Sequence, residues 1–178
     1  MQDAYFGGNA IVADYRQVIR DAVRLALGET WCVFPARSGA EAVEYARSIQ
    51  VALVILDIQM PPLNGLDASA EIRGLPGYTS VPIIVLTAFD DQENRRKASL
   101  AGVNTIIAKP FTAQHLLSVI RPLIAARQDA TADARSGYRL SEGKDILAVY
   151  RKVEAFGPFD HNDGFAASAR SRRRDAMR

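Results

Sequence analysis

The stretch Val51-Ala52-Leu53-Val54-Ile55-Leu56 is followed directly by Asp57. Its six apolar residues do not alternate with polar ones, and such a run is typical of a strand that is buried on both faces. Strands of this kind occur in parallel sheets covered by helices on both sides. The stretch therefore predicts an α/β domain in which a carboxylate follows a buried strand.

Four further apolar runs and five helical patterns surround this strand. We expect strands at 9–13, 31–34, 51–56, 82–86 and 103–108, and helices at 16–28, 38–48, 65–74, 90–101 and 112–126. Thr112 is a candidate N-cap for the last helix. Because strands and helices alternate along the chain, the pattern predicts a doubly wound, five-stranded parallel sheet.

The composition excludes several classes of protein. The chain has 178 residues, 48% hydrophobic and 24% charged, as in ordinary globular proteins. Cys32 is the only cysteine, which excludes a disulfide framework. With only His115 and His161 as histidines, a metal site must use oxygen ligands. The sequence contains no apolar run of roughly 20 residues and no signal-peptide pattern, so we expect a cytoplasmic protein without membrane contact.

Reactive or polar side chains follow four of the five predicted strands. They are Asp14, Asp57, Thr87 and Lys109. In doubly wound sheets the functional site lies beyond the carboxyl ends of the strands, so these four should converge. Two carboxylates suit Mg²⁺, and a carboxylate beside such a cation can attack a phosphoryl group. Lys109 and Thr87 would then contact the phosphoryl oxygens.

Three segments resemble the receiver domains of response regulators. They are Val54-Ile55-Leu56-Asp57-Ile58-Gln59-Met60-Pro61-Pro62-Leu63-Asn64-Gly65, Pro82-Ile83-Ile84-Val85-Leu86-Thr87-Ala88, and residues 101–111 with Lys109-Pro110-Phe111. The resemblance covers residues 9–126 and implies a flavodoxin-like fold with strand order 2-1-3-4-5.

The resemblance also implies a role for each site residue. Asp57 would accept a phosphoryl group from a sensor histidine kinase or a phosphotransfer protein. Asp14, Asp57 and the backbone carbonyl of Gln59 would hold Mg²⁺, and Lys109 and Thr87 would bind the phosphoryl group. The Lys-Pro bond would be cis. No enzymatic activity is implied beyond the gain and loss of this phosphoryl group, and signalling would proceed through contact with a downstream protein.

Each of these side chains also has a simpler interpretation. Asp14 would cap the first helix, Thr87 would bond its own backbone in a turn, and Lys109 would be a solvated surface lysine. Asp57 would be an acid in a strand-end loop.

The sequence departs from the family pattern at two positions. Ala13 stands where the family usually has a second acid, which predicts weakened but surviving Mg²⁺ binding. Ile106 stands where the family usually has Tyr or Phe, which predicts a smaller output change or one carried by Thr87 and the 88–96 loop. In addition, Phe89 offers no means to orient water near the phosphoryl position, which predicts slow self-dephosphorylation.

The composition changes near residue 127. Residues 1–126 carry 11 basic and 12 acidic side chains, whereas residues 127–178 carry 11 and 8. We therefore expect a receiver domain at 1–126, a linker at 127–139, and an extension at 140–178. The extension contains an amphipathic helix candidate at 141–156 and a basic end at 168–174.

Three interpretations of the whole chain follow. The first is a phosphoacceptor response regulator that acts by protein–protein contact. The alternatives are a phosphate-independent receiver-like interaction module, and a transcription regulator that uses the basic tail. We expect no full DNA-binding domain, because the extension has one clear helix. Homodimerisation and the packing of the extension stay open.

Overall fold

A computed structural model describes residues 7–132 as five strands that alternate with five helices. The elements are β1 Gly8–Ala13, α1 Gln17–Leu27, β2 Trp31–Ala36, α2 Gly39–Ser48, β3 Leu53–Asp57, α3 Gly65–Arg73, β4 Ile83–Thr87, α4 Gln92–Leu100, β5 Thr105–Ala108 and α5 Ala113–Ala132. All strand pairs are parallel and the order is β2-β1-β3-β4-β5. The predicted fold and strand order are therefore confirmed.

The central strands β3 and β4 are buried on both faces, as the unbroken apolar runs predict. Every residue of β3 and of β4 is buried, including Asp57 and Thr87 at their ends. One face packs against α1 and α5, which also contact each other. The core on that face consists mainly of Ala10, Val12, Val23, Leu27, Leu53, Ile55, Ile84, Leu86, Ile107, Leu116, Ile120 and Ile124.

Side chains cap several helices and fix where they begin. The hydroxyl of Ser38 accepts a hydrogen bond from Glu41 N, and the amide oxygen of Asn64 accepts from Leu66 N and Asp67 N. Thr112 Oγ1 accepts from His115 N at 3.1 Å, as expected of an N-cap. Each cap satisfies a backbone donor that the helix itself leaves unpaired.

The last helix is longer than its sequence pattern predicts. α5 ends at Ala132, six residues beyond the expected end at 126, so the first part of the expected linker is helical. Arg127 contributes to this, because its guanidinium donates to the carbonyls of Val51 and Ala52 at 3.4 and 3.2 Å. The rest of the linker, the helix candidate at 141–156 and the basic end lie outside the described residues. Within residues 7–132, every helix is too short or too polar to span a lipid bilayer.

Candidate functional site

Strand register brings the predicted site residues to one edge of the sheet. Ala13 of β1 pairs with Leu56 of β3, so Asp14 and Asp57 follow at the same level. Thr87 of β4 pairs with Ala108 of β5, and Lys109 comes next. The Lys109 N–H donates to the carbonyl of Thr87 at 2.7 Å, which fixes the two strand ends together. The peptide bond between Lys109 and Pro110 is cis, as the resemblance implies.

Lys109 joins the two carboxylates. Its ammonium nitrogen lies 2.5 Å from Asp14 Oδ2 and 3.1 Å from Asp57 Oδ1. The lysine side chain is 8% exposed, and those of Asp14 and Asp57 are 0% and 5% exposed. Lys109 is therefore a partner of both acids rather than a solvated surface lysine. Ion pairs this well shielded from water are screened little by salt.

Opposing effects act on the pKa of the Asp57 carboxyl. Burial raises its pKa above the usual 3.8, and the nearby charge of Asp14 raises it further. The hydrogen bond and positive charge of Lys109, together with a hydrogen bond from the backbone of Gln59, oppose this rise in pKa. Lys109 thus favours the ionised form of Asp57, which is the form that can act as a nucleophile.

Thr87 is at the site but bonds its own loop. Its hydroxyl accepts from Phe89 N at 3.0 Å and lies 3.2 Å from Phe89 O, to which it can donate. In this conformation Thr87 makes the local turn that its simpler interpretation predicts. Phe89 is 57% exposed at the rim, and Ile106 of β5 is partly buried.

The basic residues around Asp14 are not evident from the sequence pattern. The Arg16 backbone N–H donates to Asp14 Oδ1 at 2.8 Å, and Arg16 Nε lies 3.6 Å from the same oxygen. The buried Arg20 donates through Nη1 to the backbone carbonyl of Asp14 at 2.7 Å. Asp14 does not cap α1, whose N-cap residue is Arg16. The available signal was the position of Arg16 two residues after an aspartate, where Asx turns form.

The loop after Asp57 depends on a glycine. A Cβ atom built on Gly65 would overlap the carbonyl oxygen of Asp57 and lie 2.8 Å from its carbonyl carbon. The Gly65 N–H donates to the carbonyl of Ile58 at 3.0 Å. The start of α3 therefore packs directly against the backbone of Asp57. A second cis bond, between Pro61 and Pro62, lies in the same loop.

The oxygen donors at this edge fit a hard divalent cation. Within residues 7–132, no group of three or more His, Cys, Asp and Glu side chains is arranged to hold a metal ion. The expected ligand set is smaller, since it consists of Asp14, Asp57 and one backbone carbonyl. Mg²⁺ commonly uses one or two carboxylates and keeps several waters, so these donors suit it.

Sequence comparisons place this site in a known context. Residues 10–121 match the model of the response regulator receiver domain. The chain is 33% identical over 154 residues to the transcriptional regulatory protein PdtaR of Mycobacterium tuberculosis, covering 85% of this chain and 74% of that protein. It is 32% identical over 139 residues to the probable transcriptional regulatory protein TcrX of the same organism, covering 77% and 57%. The chain therefore spans little more than half the length of TcrX.

Solved structures give the same result. The chemotaxis response regulator CheY4 of Vibrio cholerae matches 65% of this chain and 97% of its own, at 25% identity and a TM-score of 0.62. The receiver domain of the sensor histidine kinase PA1611 from Pseudomonas aeruginosa matches 67% and 98%, at 28% identity and a TM-score of 0.62. That structure is described with a magnesium ion coordinated in its active-site cleft.

Proposed function

Because the chain belongs to the response regulator receiver domain family, we propose that it is a phosphoacceptor switch in which Asp57 takes a phosphoryl group from a histidine kinase or a phosphotransfer protein. The observation that carries this proposal is the contact of Lys109 with both Asp14 and Asp57 at the carboxyl edge of the sheet. A buried acid that pairs with a buried lysine keeps its charge, and the carboxyl edge of the sheet is where ligands bind in folds of this kind.

The transfer would use a carboxylate oxygen of Asp57 as the nucleophile. That oxygen attacks phosphorus and forms a P–O bond, while the P–N bond to the donor histidine breaks and the nitrogen keeps the electron pair. Lys109 keeps its protons throughout, and its ammonium group shifts from the carboxylate of Asp57 towards the phosphoryl oxygens. Thr87 is positioned to give a hydroxyl hydrogen bond to the same oxygens if it releases Phe89.

Asp14, Asp57 and the backbone carbonyl of Gln59 would hold Mg²⁺ beside the phosphoryl group. When bound, the ion would supply positive charge that offsets the negative charge of the phosphoryl oxygens. Loss of the phosphoryl group to water would return Asp57 to its free carboxylate. No other reaction is assigned to the chain.

The output would be contact with a downstream protein, in the cytoplasm. The names of TcrX and PdtaR describe transcriptional regulation, and the basic end at 168–174 is the part of this chain that a nucleic-acid role would use. Deletion of residues 166–178 tests the nucleic-acid alternative. If that alternative holds, the full chain binds DNA in a salt-dependent manner and the deletion variant does not.

Mass spectrometry of the intact protein tests the proposed function. The full chain is incubated with Mg²⁺ and either acetyl phosphate or phosphoramidate, the second of which has the P–N bond of a phosphohistidine. We expect one phosphoryl group on the wild type, none on Asp57→Asn, and one on the control Asp67→Asn, whose carboxyl is exposed at the start of α3. No adduct from either donor or from histidine kinases would favour the phosphate-independent interaction module.

A further inference from the structure

All three oxygen atoms of Asp14 that could bind a metal ion already contact a cationic residue. Oδ2 contacts the Lys109 ammonium group, Oδ1 accepts the backbone N–H of Arg16, and the backbone carbonyl accepts from Arg20. The side chain of Asp14 is fully buried. A metal ion that approaches Asp14 therefore meets positive charge on several sides.

Arg16 differs from the other two cations in its exposure to solvent. Its side chain is 42% exposed, whereas Lys109 is 8% exposed and Arg20 is 7% exposed. Its guanidinium carbon lies 5.5 Å from the centre of the Tyr15 ring, which supports the group over an aromatic face. With Nε 3.6 Å from Asp14 Oδ1, the guanidinium is held at the mouth of the site by the carboxylate and the ring.

The charges at this edge are balanced before a phosphoryl group arrives. The carboxylates of Asp14 and Asp57 lie beside the cationic side chains of Lys109 and Arg16, and Arg20 interacts with the further carboxylate of Glu41. Divalent cations are attracted by surplus negative charge, and this edge has none. A phosphoryl group adds negative charge, and a planar guanidinium can bind two of its oxygens at once.

We propose that Arg16 is a phosphoryl-binding residue that shares the charge-neutralising role of Mg²⁺. It holds Asp14 Oδ1 in the unphosphorylated protein and thereby weakens Mg²⁺ binding. During transfer to Asp57 it turns to the phosphoryl oxygens, so the reaction depends less on the metal. This inference rests on the proposed function, and it assigns a role to a residue outside the set of Asp14, Asp57, Thr87 and Lys109.

Arg16→Gln in the full chain tests both halves of the proposal. The variant keeps the side chain as far as the nitrogen at the ε position and the backbone N–H that orients Asp14, but it removes the guanidinium charge. Isothermal titration calorimetry should show Mg²⁺ binding about three- to tenfold tighter than in wild type, because the removed guanidinium charge repels the ion and solvent screens that repulsion only partly. Phosphorylation by phosphoramidate in excess chelator, followed by intact mass, should slow about tenfold, with little change in saturating Mg²⁺.

The chain offers a matched control in Arg24→Gln. Arg24 lies in α1, which begins directly after Arg16; it is also 42% exposed, and it lies 3.6 Å from Asp21. We expect this variant to match wild type in both measurements, and Arg16→Lys to restore part of the metal-free rate and of the weaker Mg²⁺ binding.

The outcomes separate this inference from the proposed function. Unchanged Mg²⁺ affinity in Arg16→Gln overturns the inference, as does a wild type that forms an adduct with Mg²⁺ but none in chelator. A wild type that forms no adduct under any condition overturns the proposed function. Calorimetry then still decides whether Arg16 opposes Mg²⁺ at Asp14.

Discussion

Replacement of Gly65 by alanine should displace the backbone of Asp57, the proposed phosphoacceptor, without changing its side chain. The added Cβ would overlap the carbonyl oxygen of Asp57 and lie 2.8 Å from its carbonyl carbon, and ordinary contact begins near 3.4 Å, so the Asp57 peptide must retreat by at least about 1 Å. The neighbouring backbone leaves little room, because Gly65 N also bonds the carbonyl of Ile58. Overpacking of this kind costs about 1–3 kcal/mol of unfolding free energy.

The displacement should also slow chemistry. Misplacement of a reacting group by about 1 Å can reduce rates about 100-fold, so we expect Gly65→Ala to accept phosphate about 10- to 100-fold more slowly. The assay is intact-mass kinetics with phosphoramidate and Mg²⁺, with urea unfolding in parallel. The measurements are made under conditions where the variant is fully folded, so that loss of rate is separated from loss of fold.

The other end of α3 provides the control. Gly74 has a φ of −75°, and a Cβ there would meet nothing closer than 3.4 Å. Gly74→Ala should therefore change the unfolding free energy by less than about 1 kcal/mol and leave the rate unchanged. A Gly65→Ala protein that is phosphorylated as fast as Gly74→Ala would refute the argument that this close approach positions Asp57.

Three further predictions follow from contacts in the described residues. Burial raises the pKa of the Asp57 carboxyl above 3.8, so the folded protein binds a proton on this carboxyl more tightly than the unfolded chain does. The protonated carboxyl therefore favours the folded state at low pH, and this contribution to stability is lost as the pH rises and the carboxyl ionises. In Mg²⁺-free buffer, Asp57→Asn should thus raise Tm at pH 7, and the increase in Tm should vanish towards pH 3.8. Arg73 donates to the carbonyls of Tyr78, Thr79, Val81 and Gly102, so Arg73→Lys should cost about 2–4 kcal/mol in urea unfolding, because a lysine cannot serve them all. Phe89→Glu should lose phosphate faster than wild type, whereas a Leu100→Glu control should not; equal rates for the two variants would contradict shielding by Phe89.

The fold could be predicted because its main signal is local. Unbroken apolar runs specify strands buried on both faces, and alternation with helices leaves few topologies. The convergence of Asp14, Asp57 and Lys109 also follows, since parallel strands deliver their carboxyl ends to one edge. These predictions need only the chain order of the elements and the handedness of their connections.

The features that sequence analysis missed depend on contacts between distant or exposed groups. The end of α5 was placed too early because small and polar residues after Arg127 suggest a linker. The hydrogen bonds of Arg127 go to the two residues just before β3, about 75 positions away in the sequence, so the sequence pattern near Arg127 does not reveal them. Arg16 was missed because an exposed arginine at the start of a helix is ordinarily a solvated residue. Only the structure shows that Arg16 lies beside the buried carboxylate of Asp14.

The contacts of Thr87 indicate how a change at Asp57 could reach the protein surface. The Thr87 hydroxyl bonds Phe89 N, and the Phe89 carbonyl accepts from Asn94 Nδ2 in the first turn of α4. A phosphoryl oxygen that takes the Thr87 hydroxyl hydrogen bond must draw it away from the Phe89 backbone. The loop would then lose the contacts that hold the exposed Phe89 ring and the start of α4 in place. This route needs no aromatic side chain at Ile106, which agrees with the prediction that the output change is carried by Thr87 and the 88–96 loop.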